Sequence, residues 1–324
     1  MSYKRSVYVK AKEILSERKI TAEREAEIRH SAAIARCPEI AQIEREMASH
    51  GAEVVKAVGM GADLDEFIMN LSTANIKAQE KRKALLKTAG FPEDYLEVKY
   101  TCEICKDTGY NQEFYCQCYR KLIRDVAREE LSANSPLKKC TFESFSVDRY
   151  PDVIDSVMGV NQREHMKDNY EYCKAFAENF TTNSRGIFMY GKTGLGKTHL
   201  SLAIANVVID KGFDVYYGSV QSIMDKLEGE HFGRLPREES IKEDILNCDL
   251  LIIDDLGTEF ATQFTNAEIY NIVNTRILAS LPTIISTNLD FNEISEKYSQ
   301  RVASRIVGSC DSMYFCGKDI RQMD

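Results

Sequence analysis

Apolar and polar positions along this chain change period more than once, and the changes divide it. Over residues 3–36 the apolar positions Tyr3, Val7, Ala11, Ile14 and Leu15, then Ile28, Ala32 and Ala35, recur at helical spacing between charged residues, with Thr21 as a break and helix cap. Pro38 ends that run. A second short helix carries Ile40, Ile43 and Met47 and stops at Gly51. A third begins after Gly59-Met60-Gly61 with Asp63 as its cap, buries Leu64, Phe67, Ile68 and Leu71 with Ile76 at its margin, and closes at Gly90 and Pro92. Beyond a cysteine-rich stretch the helical period returns over Tyr119–Ala133, with Leu122, Ile123, Val126 and Leu131 apolar and Arg120, Lys121, Arg124 and Arg128 basic; Asn134-Ser-Pro136 ends it. Lys138–Asp152 is an irregular linker whose Phe142, Phe145 and Tyr150 suit packing on the next domain, beside a nucleotide base.

From Asp152 onward helical and strand-like segments alternate. The pattern predicts a helix over 162–179, a strand over 186–190, a helix over 198–211 and a strand over 214–218. A polar helical insertion follows over 219–247, then a strand at 250–253, a helix at 266–280, a strand at 283–287, two short helices up to Gly308 and a last strand at 312–316. Five strands joined by crossover helices imply a three-layer α/β domain around a parallel sheet.

Composition narrows the class. A chain of 324 residues with 44% hydrophobic positions can bury a large core and has room for two or three units. No apolar run approaches the ~20 residues that span a bilayer, and Met1–Leu15 is charged throughout, so a cytoplasmic protein without membrane association is expected. The net charge of −8 argues against coating nucleic acid by bulk electrostatics but leaves room for a local groove. The deficit lies after residue 100: the first hundred residues hold 17 Lys and Arg against 16 Asp and Glu, the remainder 25 against 34.

Chemistry is concentrated in two stretches of the α/β part. Gly191-Lys192-Thr193-Gly194-Leu195-Gly196-Lys197-Thr198, followed by His199, fits the phosphate-loop pattern between a strand and a helix. Its glycines let successive N–H groups turn inward to oxygens, and the helix that follows presents its positive end to the same anion. Lys197 would reach the β and γ phosphates of ATP, and Thr198 would hold Mg²⁺. Leu250-Leu251-Ile252-Ile253-Asp254-Asp255 reads as a buried parallel strand delivering two acids to the carboxyl edge of its sheet. There Asp254 would hold Mg²⁺ and Asp255 would orient or deprotonate water.

Ten cysteines in a cytoplasmic chain are not expected to be a disulfide framework. Cys37, Cys140, Cys173, Cys248, Cys310 and Cys316 read as small buried hydrophobes. Cys102, Cys105, Cys116 and Cys118 fall as Cys-x₂-Cys and Cys-x-Cys around a Gly109 turn, a ligand set for a closed, structural Zn²⁺ site; four reduced structural cysteines and an iron–sulfur cluster are the alternatives. The basic face of 119–133 is read as solvated rather than as a nucleic-acid surface. The first ninety residues carry no chemistry, and a docking surface for another protein is the reading adopted over a helical support.

Further residues carry a resemblance. Asn288, at the end of the strand beside that of Asp254, resembles the sensor-1 residue of AAA+ ATPases; Gln300-Arg301-Val-Ala-Ser-Arg305 resembles their box VII, and Gly317-Lys-Asp-Ile-Arg321 their sensor-2 position. With Asp254-Asp255-Leu-Gly-Thr-Glu259 and Thr141-Phe-Glu-Ser-Phe145, the chain resembles bacterial replicative helicase loaders of the DnaC/DnaI type, AAA+ proteins of the IstB-like ATP-binding superfamily. The resemblance implies an AAA+ ATPase domain over 152–324 that lacks a C-terminal lid, a linker over 134–151, a zinc module over 93–133 and a helical partner-docking region over 1–92. It implies an ATPase that holds the hexameric replicative DNA helicase, self-associates through its AAA+ domain and delivers the helicase onto single-stranded DNA. Asn288 would bond the γ-phosphate or the attacking water, Arg305 would complete a neighbouring subunit's site with Arg301 as second candidate, and Arg321 would act as sensor 2. The shorter Asp255 leaves open whether it or Glu259 polarises the water. A transposition helper ATPase of the IstB type and a zinc-containing adaptor that binds ATP without turnover are the competing functions.

Overall fold

The structure, a computed structural model, describes residues 3–58, 64–112, 114–133, 135–233 and 240–320. In chain order the elements are α1 (Arg5–Arg36), α2 (Glu39–Val58), α3 (Leu64–Thr88), β1 (Tyr110–Asn111), β2 (Phe114–Tyr115), α4 (Gln117–Ala133), α5 (Gln162–Glu178), β3 (Gly186–Gly191), α6 (Lys197–Asp210) and β4 (Val215–Ser219). They continue with α7 (Val220–His231), α8 (Ile241–Asn247), β5 (Leu250–Leu256), α9 (Gln263–Leu278), β6 (Thr283–Thr287), α10 (Phe291–Tyr298), α11 (Gln300–Ser309) and β7 (Cys310–Phe315). The chain forms two compact units, Met1–Ala11 with Arg120–Asp324, and Lys12–Tyr119.

In the first unit five strands form one sheet in the order β4-β5-β6-β3-β7, every neighbouring pair parallel. The central strands are apolar along their length because both faces are covered. Phe188, Tyr216, Leu251, Ile253 and Ile285 share one core cluster with residues of α7, α8, α9, α10 and α11. The alternate positions Ile187, Met189, Ile252 and Ile284 are equally buried, and α6 packs on β4, β5 and β6 with α5 beside it. This is the three-layer arrangement the alternating pattern predicts. The stretch expected as a polar insertion is more amphipathic than its composition implies: α7 buries Val220, Ile223, Met224 and Leu227. Arg276 of α9, fully buried, donates to the carbonyls of Ile245, Cys248 and Pro282 and so ties together the ends of α8, α9 and β6.

The start of the chain groups with this sheet rather than with the helices that follow it. Tyr3 donates its hydroxyl to the Ile209 carbonyl at 2.6 Å, and Lys4 pairs with Asp244 at 2.8 Å while lying over the Tyr216 ring.

The second unit holds most of α1, then α2, α3 and the cysteine-rich turn. The sequence places a break at Thr21 and a stop at Gly51, and the structure has neither: α1 runs unbroken to Arg36 and α2 to Val58. In the part of α1 that belongs to this unit the buried stripe is Leu15, Ala22, Ala26 and Ala33, not Ile28, which is exposed, nor Ala32 and Ala35. Small alanines permit close approach along that stripe, so Thr21 costs less than the packing gains. Ala33, Ile40 and Leu86 form a small core with Phe91 and Tyr95, whose rings stack at 4.3 Å. Ile76 is exposed. The expected cap Asp63 lies outside the described residues.

Candidate nucleotide site and cysteine cluster

β3 ends at Gly191 and α6 begins at Lys197, so the five residues between them must reverse the chain over the sheet edge. Gly194 and Gly196 take φ of +78° and +89°, the left-handed region that side chains with a Cβ enter at a cost. A Cβ on Gly196 would stand 2.7 Å from the Phe145 ring and 2.9 Å from the Tyr150 hydroxyl, which itself donates to the Leu195 carbonyl at 2.7 Å. The linker aromatics therefore pack against the loop, and Leu195 is buried. Among the loop residues expected to meet the nucleotide, Lys192 and Thr193 are exposed. His199 is instead turned to the linker, its Nε2 at 2.9 Å from the Thr141 carbonyl and 3.1 Å from Ser144 Oγ.

Lys197 is buried. Its ammonium donates to the carbonyls of Gly191 and Lys192 at 2.6 and 2.7 Å and to the amide oxygen of Asn288 at 2.9 Å, which joins the loop to the end of β6. Thr198 donates to both oxygens of Asp254 at 3.0 Å. The Asp254 carboxylate, also buried, receives the Tyr217 hydroxyl at 2.8 Å and the Ser286 hydroxyl as well. Burial, with the adjoining Asp254 charge, raises the Tyr217 phenol well above its ordinary value and keeps it a donor. One strand on each side of β5 thus contributes a hydroxyl that fixes the Asp254 side chain. Tyr217 and Ser286 carry no motif, and sequence reasoning missed both; the only signal was a polar residue in each of two flanking apolar strands.

The register of β5 against β6 shifts between Ile253 and Leu256, and within that irregularity Asp255 adopts φ +55°. Its backbone N–H donates to Ser286 Oγ at 2.9 Å. Ser286 therefore holds both acids at once. Glu259 faces elsewhere: it is buried, pairs with Lys297 at 3.2 Å, accepts the Tyr298 hydroxyl and accepts the Gly257 N–H at 2.9 Å. Its carboxylate is committed to holding the turn after β5.

The arginines divide. Arg301 is exposed on α11, while Arg305, one turn on and half-buried, lays its guanidinium 5.6 Å from the centre of the Tyr270 ring. Arg321 lies outside the described residues. Two residues earlier in the sequence, Asp319 comes unexpectedly close to the loop: its Oδ1 lies 1.9 Å from where a Cβ on Gly194 would stand, and Ile320 N–H bonds the Gly194 carbonyl at 3.1 Å.

In the other unit the Sγ atoms of Cys102, Cys105, Cys116 and Cys118 all lie within 4.8 Å of one another. Cys102 to Cys116 is 3.8 Å and Cys105 to Cys118 is 3.4 Å. A tetrahedral Zn²⁺ with Zn–S bonds of about 2.3 Å requires sulfurs about 3.8 Å apart, so the donor set fits that ion in number and spacing. Asp107, buried and missed in the sequence, accepts the N–H groups of Thr101 and Cys102 at 2.8 and 3.0 Å and closes the first knuckle. Of the remaining cysteines, Cys140, Cys173, Cys248, Cys310 and Cys316 are buried thiols as expected, and Cys37 is half-buried beside Glu39.

A glycine loop opening a helix, a buried lysine behind it, and a threonine and aspartate sharing hydrogen bonds at the edge of a parallel sheet define a P-loop nucleotide-binding domain. Residues 169–318 match the family described as IstB-like ATP binding protein. Over 169 residues the chain is 27% identical to the replicative helicase loader DnaC of Escherichia coli (strain K12), covering 52% of this chain and 63% of that protein. It is 31% identical over 134 residues to DnaC of Buchnera aphidicola subsp. Baizongia pistaciae (strain Bp), covering 41% and 54%. The match thus spans less than two thirds of these relatives' own length. Among solved structures it is similar to a DnaC helicase loader (TM-score 0.46, 19% identity, covering 56% of this chain and 99% of that one) and to DnaI (0.45, 17%, 57% and 93%). Among the described residues no helix is long and apolar enough to cross a membrane.

Proposed function

We propose that this protein is an ATP-hydrolysing loader that holds the hexameric replicative helicase and delivers it onto single-stranded DNA. The observation that carries the proposal is the joined set Lys197–Asn288 and Thr198–Asp254 at one sheet edge, in a domain similar to that of DnaC loaders. Lys197 would exchange its carbonyl and amide partners for the β and γ phosphates, and Asn288, released from Lys197, would bond the γ-phosphate or the attacking water. Thr198 and Asp254 would hold Mg²⁺, which supplies charge neutralisation along the phosphates when bound. Asp255 rather than Glu259 is assigned to the water, because the Glu259 carboxylate is already taken by Lys297, Tyr298 and Gly257. Arg305 would serve the site of an adjacent copy. Cys102, Cys105, Cys116 and Cys118 would hold one structural Zn²⁺ in the module that follows the helices assigned to helicase docking.

The test is reconstitution of the full chain with the host's hexameric helicase and single-stranded DNA. Helicase recovered on the strand should depend on this protein and on ATP, and Lys197→Ala should abolish that recovery. A chain that binds no helicase contradicts the loader reading; one that binds ATP without hydrolysing it, with helicase and DNA present, supports an adaptor instead.

A further inference from the structure

Resting on the assignment of Arg305 to a neighbouring site, we propose that Tyr270 is its positioning residue: the ring orients the guanidinium without neutralising it. Arg305 sits on the flank of α11, whose Val302, Ala303 and Ile306 are buried and fix the helix against the core. Its guanidinium carbon is 5.6 Å from the Tyr270 ring centre, within cation–π range. Tyr270 is itself held. It follows the buried Ile269 on α9 and packs against the same core cluster, so the ring is a fixed platform.

The choice of partner matters chemically. Several basic groups of this unit are met by carboxylates: Lys297 by Glu259, Arg185 by Asp311, Lys242 by Glu268. Among the described residues no carboxylate pairs with Arg305. An ion pair would have to be broken before the arginine could neutralise charge on a transferred phosphoryl group. The negative face of a phenol ring restrains the planar cation and leaves its N–H edge and full charge available. Arg301, exposed one turn earlier, has no such platform among the described residues, which separates the two arginines that the sequence left as alternatives.

The experiment compares Tyr270→Leu and Tyr270→Phe in the full chain, assembled with helicase and single-stranded DNA, by ATP turnover, affinity for a fluorescent ATP analogue and melting temperature. Tyr270→Leu should lower turnover about two- to fivefold, the range a cation–π contact at a partly exposed site supports, with nucleotide affinity unchanged. Tyr270→Phe, which keeps the ring, should turn over at the wild-type rate. In an Arg305→Ala background Tyr270→Leu should have no further effect. Mixing Tyr270→Leu subunits with Lys197→Ala subunits, which keep an intact Tyr270 and Arg305, should restore part of the lost rate. Should Tyr270→Leu lower the melting temperature appreciably, Tyr270→Met carries the same comparison. A loss in Arg305→Ala with none in Tyr270→Leu, losses that multiply in the double variant, or equal loss in Tyr270→Phe would overturn the role of Tyr270 and leave the arginine assignment standing. Full turnover in Arg305→Ala would remove that assignment, and this inference with it.

Discussion

Ser286 is the residue on which both acids of the site depend, and Ser286→Ala isolates it. The hydroxyl is fully buried, donates to Asp254 Oδ1 and accepts the Asp255 N–H at 2.9 Å. Removing it deletes a hydrogen bond to a charged acceptor, about 1.5–3 kcal/mol, and leaves an enclosed N–H without that acceptor, about 1–3 kcal/mol. The two overlap, because Asp254 keeps its bonds from Thr198 and Tyr217, so a net loss of about 2–4 kcal/mol is expected. The chain has no tryptophan, so stability is best read by hydrogen exchange of peptides covering β5 and β6, which report this unit alone. Asp255, at φ +55°, loses one of the contacts that hold it there, and hydrolysis should fall at least about tenfold while ATP affinity changes little. Exchange protection within ~0.5 kcal/mol of wild type, together with unchanged turnover, would refute the idea that Ser286 positions the pair.

Other perturbations separate the remaining parts. Glu259→Gln removes the charge facing Lys297, which is partly exposed and keeps the Gly257 and Glu259 carbonyls, and should destabilise the unit by about 1–3 kcal/mol in a denaturation series; a variant of unchanged stability that has lost only hydrolysis would return Glu259 to the water. Metal analysis should find one Zn²⁺ per chain, lost in Cys102→Ser together with protection of residues 100–118; a metal-free wild-type chain with that segment protected would exclude the site. Burial raises Asp214 to about 7, with Asp249 and Asp244 adding to the shift and Lys4 opposing it. A carboxyl raised on folding favours the native state at low pH, and that advantage is lost as pH climbs from about 4 to 7. Asp214→Asn should therefore gain about 1–2 kcal/mol at pH 8 and less at pH 5, measured by urea midpoints; an equal gain at both would contradict the buried charge.

Much of the nucleotide site was legible because its chemistry is local. The glycine spacing dictates a loop, and an apolar run ending in two acids dictates a strand edge. The hydroxyls that hold Asp254 were not legible, since Tyr217 and Ser286 stand 37 and 32 residues away in sequence and meet it only across the sheet. The same separation hid the role of Glu259, whose partners Lys297 and Tyr298 arrive on α10. In the helical unit periodicity located the elements but misjudged their ends: Thr21 and Gly51 are weak breakers against tertiary packing, and a stripe of alanines is a fainter signal than one isoleucine. Asp319 stood in the stretch that resembles sensor 2 without a role of its own; only the fold brings it to Gly194.

The central claim is that the loop, Asp254 and Asn288 form one Mg²⁺–ATP site that turns over, and single-turnover hydrolysis by the assembled full chain tests it most directly. Wild type should release phosphate in a Mg²⁺-dependent reaction, Lys197→Ala should fail to bind nucleotide, and Asn288→Ala should bind yet hydrolyse slowly. Mg²⁺-independent binding that survives Lys197→Ala, with no phosphate released, would contradict the account.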